Sequence, residues 1–444
     1  MTFGRPSVAA VAAFEGWRAL RHRNYRLFFG GQFVSLIGTW MQQLAQGWLV
    51  LQLTNDPLAL GVVAAAQFLP VLVLGLFGGL LADALPKRRT LIATQIVAMV
   101  LAFTLFGLSI SGVVEVWHVV ALALLLGCAN AVDMPTRQAF AVEMVGREDI
   151  GNAIALNSAV FNMARIVGPA IGGLTIGAFG IPAAFLLNGI SFLAVIGAYL
   201  VMRDRELQLP PSLPRPGSAG AVVENLVEGL GYVRRTGVVL MAIVMIAVVS
   251  TFAMNFTVLM PPLARDVLGL DATGFGFLMS AMGLGSLTAA LGIAFAGRTG
   301  PRVIVAGAFA LGLFEVILGL SRSFPLSMVA IFLAGFGAIA MSATANTVIQ
   351  LSVPDHLRGR VISVYTTVFA GSTPIGGLVM GAIASAFGTA VAIGAGGVVS
   401  IAAAVGATLW LRTGLDGGVQ VQDREAGSKA RRAPAVALTQ GRPR

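Results

Sequence analysis

The chain has 444 residues, of which 57% are hydrophobic and only 11% charged, and a formal charge of +10. Its mean hydropathy is +0.87. Soluble globular proteins carry about 25% charge, so the composition describes a polytopic membrane protein and excludes a soluble one.

Residues 1–26 read as an amphipathic segment at a membrane surface. The apolar run Val8–Phe14 is followed by Arg18, Arg21, Arg23 and Arg26 where a signal-peptide cleavage site would have to stand. Twelve apolar windows of spanning length follow, near 27–53, 58–82, 90–111, 117–138, 153–178, 182–202, 237–262, 274–296, 302–321, 325–350, 361–386 and 389–411. They fall into two six-span halves, 27–202 and 237–411, either side of a polar linker, 203–236, that contains Pro210, Pro211, Pro214 and Pro216. The tail 412–444 is basic and rich in Gly, Ala and Pro, a composition that predicts disorder.

Charge placement sets the orientation. Of the 29 Lys and Arg, 26 fall in segments on one side of the array, only Arg265 and Arg322 on the other, and Arg165 within a span. Basic residues accumulate on the cytoplasmic side, so both termini and the linker are expected there. The excess positive charge therefore points to the lipid bilayer and not to nucleic acid.

Several chemistries are absent from the pattern. Cys128 is the single cysteine, which excludes disulfides within the chain, and His22, His118 and His356 are too scattered for a metal site. No Gly-x-x-x-x-Gly-Lys-Ser/Thr loop occurs, so ATP does not drive this chain by itself. No cofactor is implied, and the Ser/His/Asp constellation of an intramembrane enzyme is missing.

Polar residues inside the spans carry the functional signal. Gln32, Ser35, Thr39, Gln43 and Gln46 recur at three- and four-residue spacing and form one stripe of span 1, beside Trp40. Asn130, Asn157, Asn162, Asn255 and Asn346 add amides to spans 4, 5, 7 and 10. In lipid such groups must face a partner helix or water, and both readings stand for each single Asn. Arg165, about a dozen residues into span 5, is costlier still: a guanidinium at that depth costs roughly 2.5–3.5 kcal/mol on insertion scales, so it must face a cavity or a buried partner. Carboxylates that could titrate are few: Asp133, which could pair with Arg137 four residues on, Glu143, and Glu315 in span 9.

The halves echo one another. Glu148-Asp149-Ile150 leads to Pro169, Gly172, Gly173 and Phe179-Gly180; Asp355-His356-Leu357 leads to Pro374, Gly376, Gly377 and Phe387-Gly388. Two like-oriented halves imply a parallel repeat about an axis along the membrane normal. Asn24-Tyr25-Arg26-Leu27, Gly31-Gln32-Phe33-Val34-Ser35, Gly47-Trp48-Leu49-Val50, Pro57-Leu58-Ala59-Leu60-Gly61, Phe68-Leu69-Pro70 and Asp133-Met134-Pro135-Thr136-Arg137-Gln138 then identify a resemblance. Over roughly 20–410 the chain resembles the major facilitator superfamily, and within it the bacterial branch of enterobactin exporters and secretion-type carriers.

The resemblance implies an all-α fold of twelve membrane helices in two pseudo-symmetric halves, alternating access, and a monomer moving a small molecule. It implies a gate at Gly79, Asp83, Lys87, Arg88 and Arg89, although Ala84 and Pro86 depart from the superfamily loop, and it adds Arg137 to that gate. Gly168-Pro169 with Gly172-Gly173, and Pro374 in the second half, resemble the kinked, small-faced helix of exporters. The leading expectation is proton-coupled export of an amphipathic or anionic molecule (a siderophore, drug or metabolite), with Arg165 attracting a carboxylate or catecholate. An importer and a non-transporting scaffold are the alternatives. The orientation has a direct test: an alkaline phosphatase fusion after Arg215 should be silent and one after Asp56 active, and the reverse pattern inverts the topology.

Overall fold

The computed structural model describes residues 17–208, 219–297 and 299–414, without the side chains of 76–83, 219–225 and 414. Most of the N-terminal segment, the proline-rich part of the linker and nearly all of the tail therefore lie outside the described residues. So do the side chains of Gly79 and Asp83.

Among the described residues the chain is helical and contains no strand. In order, the helices are α1 (Arg23–Thr54), α2 (Pro57–Ala84), α3 (Lys87–Ile110), a run Val116–Phe179 that contains α4 and α5, and α6 (Ile181–Val201). Then come α7 (Ala219–Arg235), α8 (Gly237–Phe252), α9 (Phe256–Pro262), α10 (Ala272–Ala296), α11 (Pro301–Leu320), α12 (Phe324–Ser352), α13 (Asp355–Phe387) and α14 (Thr389–Gly414). Ten segments are long and apolar enough to cross a membrane by length and composition; that number counts 116–179 once and omits the glutamine-bearing α1. With α8 and α9 forming one crossing, twelve crossings result, six before α7 and six after it.

Two stretches differ from the expected windows. Between spans 4 and 5 the loop shrinks to one residue: Gly146, at φ 75° and ψ 179°, splits the run into α4 (116–145) and α5 (147–179). Glycine suits this turn because φ is positive and because the Gln208 side chain occupies the place of a Cβ. The Gln208 N–H donates to the Glu143 carbonyl at 2.7 Å, fastening the chain beyond α6 to this turn.

Span 7, expected to be continuous over 237–262, is broken. The Asn255 side chain donates to the Thr251 carbonyl at 2.7 Å, taking the acceptor that helical backbone would use. Pro261 and Pro262 lack N–H groups, and the chain continues through a π-helical turn, Leu263–Val267.

The helices alternate between two faces. A basic face gathers the starts of α1, α3 and α13 and the ends of α6 and α14, where Arg88 donates to the Tyr199 carbonyl at 2.7 Å and Asn24 to the Arg203 carbonyl at 2.9 Å. The opposite face carries the turns at Asn55–Asp56, Gly180, Asp271 and Gly388.

The two halves meet through glycine. Gly61 of α2 lies against the Gly377 carbonyl of α13, too close for any side chain. A Cβ on Gly276 of α10 would stand 2.5 Å from the Pro169 carbonyl of α5, and one on Gly173 2.7 Å from the Ala272 carbonyl. Such close backbone approach is what small residues allow between membrane helices. Three hydrogen bonds cross the same seam: Ser280 to the Ile166 carbonyl at 2.7 Å, Thr273 to the Gly173 carbonyl at 3.3 Å, and Arg265 to the Leu51 carbonyl at 3.0 Å. Trp48 stacks on Phe275 with centroids 5.7 Å apart.

All of these contacts lie between mid-membrane and the opposite face. Together they close the seam between the halves from mid-membrane to the opposite face. Gly276→Val, which places side-chain carbons on the Pro169 carbonyl, is expected to cost about 1–3 kcal/mol and to force the seam apart. In a Cys128→Ala background, a cysteine at Thr257 should then become reactive toward a bulky impermeant maleimide; unchanged labelling would show that the seam yields.

Candidate functional site

Seen from its residues, the first half is built around buried amides. A cavity of about 210 Å³ lies inside α1–α6, lined on α1 by Gln32, Ser35, Thr39, Gln42, Gln43 and Gln46. Gln67 of α2, Thr94 and Gln95 of α3, Asn130, Asp133 and Arg137 of α4, Phe161 of α5 and Asn188 of α6 complete its wall. The helical stripe read from span 1 thus comes together on one cavity with Asn130, Asp133 and Arg137.

Asp133 is the buried carboxylate of the cavity wall, 1% exposed. Its carboxylate accepts from Thr94 Oγ1 at 2.7 Å and from Gln95 Nε2 at 2.9 Å, and it pairs with Arg137 one helical turn away. A buried carboxylate is tolerated when its lone pairs are this fully used. Arg137 also lines a second cavity of about 320 Å³ toward the basic face, with Tyr25, Phe28, Asn157 and Ser158. The ion pair therefore forms part of the wall of two cavities.

Elsewhere in the amide set, Asn188 donates to Gln42 Oε1 at 2.6 Å. Gln32 Oε1 is buried with no hydrogen-bond partner, an acceptor free for a guest or a water.

Arg165 stands outside this cavity, at the inner end of the α5–α10 seam, where its carbonyl touches Gly283. Its guanidinium carbon lies 5.8 Å from the Trp40 ring centroid. That distance is right for a cation–π contact. Trp40 in turn meets Phe161 edge-on with centroids 5.6 Å apart, and Phe161 belongs to the cavity wall. Arg165 Nε and Trp40 Nε1 are both buried without a partner. Two unsatisfied donors side by side constitute a place for an acceptor. Gly168 packs on the backbone and Cβ of α1 at Ile37 and Trp40, and Gly172 on Met41, so the small face of α5 is what brings Arg165 over the indole.

The other sequence-derived residues scatter. Asn162 donates to the Ser158 carbonyl in its own helix, and Asn255 sits at the α8–α9 break. Asn346 accepts from Gln350 on α12. Glu315 is buried in α11 of the second half with Oε2 unpartnered, remote in the fold from the amide cavity. Glu143 pairs with Lys87 at 2.8 Å, and Arg88 with Asp204 and the last carbonyls of α6. Those basic-face pairs tie α3 to α4 and α6 within one half, while Arg89 is exposed. Pro374 is buried in α13 between the glycines of its seam.

Gln42, Gln67, Thr94, Gln95 and Asn188 line the cavity but were not singled out in the sequence. The signal was available: each is an amide or hydroxyl inside an apolar window, as Asn130 is. What was missing was the rotational setting of each helix.

Against known proteins, residues 14–434 match the family model described as transmembrane secretion effector. The chain is 30% identical over 359 residues to the multidrug efflux pump Tap of Mycolicibacterium fortuitum, covering 79% of this chain and 87% of that protein. It is 24% identical over 375 residues to the enterobactin exporter EntS of Shigella boydii, covering 82% and 85%. Among solved structures, the nucleoside transporter NupG superposes with a TM-score of 0.72 at 11% identity, over 87% of this chain and 99% of that one, a likeness of fold.

The Asp133–Arg137 pair has a clean test. Asp133→Asn should lower stability by about 3 kcal/mol, since it leaves a mostly buried guanidinium without its anion. Adding Arg137→Gln should recover much of that loss in a melting experiment, whereas additive losses would show that the two groups are not coupled.

Proposed function

The chain belongs to the transmembrane secretion effector family of the major facilitator superfamily, a family of transporters and not enzymes, and from that premise we propose that it is an alternating-access exporter of a small amphipathic or anionic molecule driven by proton antiport. The observation that carries the reading is the pairing of Arg165 with Trp40 at the inner end of the glycine seam. A charged, aromatic, unsatisfied donor site stands where the two halves part.

The positive-inside pattern supports a bacterial inner-membrane protein with both termini and the linker cytoplasmic, so that the face closed by the glycine seam is external. An anion entering from the cytoplasm meets Arg165 Nε and Trp40 Nε1, while Trp40 and Phe161 offer ring faces to its apolar part. The amide wall beyond Phe161 supplies donors and acceptors that take a varied polar group.

Asp133 is the proposed proton site because it lines the amide cavity and pairs with Arg137, which also lines the cavity toward the basic face. A proton on Asp133 cancels its charge, weakens its hold on Arg137 and thereby changes the field along the amide wall. Glu143 and Glu315 are set aside from that role, the first by Lys87 and the second by its position in the other half. Outward opening requires α5 and α10 to part, so Pro169, Gly172 and Gly173 act as the moving contact, and the loop with Asp83 and Lys87–Arg89 closes the cytoplasmic side. Efflux and siderophore-export relatives support this direction. A monomer suffices for the cycle.

Counterflow in proteoliposomes tests the assignment. Arg165→Ala should weaken anionic substrates by about tenfold or more, the scale of one charge-assisted hydrogen bond, while sparing neutral ones. Arg165→Lys should retain the fold with intermediate affinity, because it keeps the charge and loses the planar donor fork. A large drop in melting temperature with normal affinity in the folded fraction would make Arg165 structural instead. Asp133→Asn with Arg137→Gln should keep counterflow and lose response to an imposed pH gradient.

A further inference from the structure

We propose that the groove between α11 and α14 binds an anionic phospholipid, with Arg302 and Arg412 holding the headgroup phosphate and an acyl chain lying along the apolar wall. The two helices pack tightly over their middles: Gly312 meets the Gly397 carbonyl, and Ser400 donates to the Ala308 carbonyl at 2.8 Å. Toward the basic face a groove of about 730 Å³ lies between them. Val305, Phe309, Val405 and Leu409 line it, and Phe309, Val405 and Leu409 are 43%, 47% and 58% exposed.

Both mouth residues are arginines. Arg302 is the second residue of α11 and Arg412 lies in the last turn of α14. No acidic residue lines the groove, and among the described residues neither arginine has a carboxylate partner. Trp410 rests on Gly237 at the start of α8, where a Cβ would meet its ring at 2.8 Å. An indole at a helix end marks the headgroup level. Two guanidinium forks at that level, above an apolar furrow, match a phosphodiester with an acyl chain below it.

The neighbouring groove between α8 and α14 provides the contrast. It is lined by Val244, Val248, Ala402 and Trp410 with no cation, and so lacks what would select a headgroup charge. The α11–α14 site lies on outer helices of the second half, away from the amide cavity, and its occupancy does not depend on what the protein transports.

The test uses the delipidated full chain in detergent and native mass spectrometry with dioleoyl phosphatidylglycerol and dioleoyl phosphatidylcholine. Phosphatidylglycerol should be retained selectively. Arg302→Ala with Arg412→Ala should lower its affinity about tenfold or more, while Arg205→Ala, at an exposed arginine of the linker just beyond α6, should leave it unchanged. Val405→Trp fills the furrow and should reduce retention with both arginines present, which guards against a misfolded double variant. Equal retention of the two lipids, or full retention by the double variant or by Val405→Trp, overturns the proposal. So does displacement of phosphatidylglycerol by inorganic phosphate alone, which indicates a free-anion site. A dimer that only the double variant disperses, with no lipid bound, assigns the groove to a second copy of this chain.

Discussion

The backbone-to-backbone contact between α5 and α10, mirrored by α2 and α13, is the constraint on which the rest of this molecule depends. In lipid, apolar side chains gain nothing by leaving the bilayer for one another, so helices associate where they fit closely and where their polar groups find partners. Gly173, Gly276, Gly61 and Gly377 remove the side chains that would hold the halves apart, and Ser280 and Thr273 add hydrogen bonds to carbonyls across the gap. These contacts hold the seam from mid-membrane to the face opposite the basic one. A seam of small residues is shallow enough to part and close again, which a large interdigitated core is not.

Polarity is distributed unevenly between two halves of similar architecture. The first half holds the amide cavity, the Asp133–Arg137 pair and the Arg165–Trp40 contact. The second half holds the matching proline and glycines of α13, but Ala370 stands four residues before Pro374, where Arg165 precedes Pro169. The repeat therefore preserves the mechanical elements and differs in the chemical ones. One half carries the buried polar groups, and the other meets it through a surface of small residues.

Burial without satisfaction is unevenly spread over the spans. Most hydroxyls in the spans return to a carbonyl one turn back, as Thr39 does to Ser35 and Thr251 to Ala247. Gln32 Oε1, Trp40 Nε1 and Arg165 Nε break that habit within a few turns of each other. An unpaired buried polar group is expensive, and these three lie on α1 and α5 beside the amide cavity.

Much of this was determined by the sequence alone. Twelve apolar windows, the loop bias of Lys and Arg, and the repeated proline and glycines fix a two-half helical membrane architecture, because spanning length and loop charge are properties of contiguous residues. The polar stripe on α1 was legible for the same reason: one helix has one period. The rest needed the third dimension. That Asp133 uses Arg137, Thr94 and Gln95, that Lys87 takes Glu143, and that Gln42 and Asn188 face each other depend on how each helix is rotated, which its own sequence constrains weakly when it is apolar all round. Likewise Gly146 could be read only as a loop residue until Gln208, sixty-two positions later, was seen to fill the space of its missing side chain. Local periodicity decides the elements; tertiary packing of small faces decides which polar groups meet.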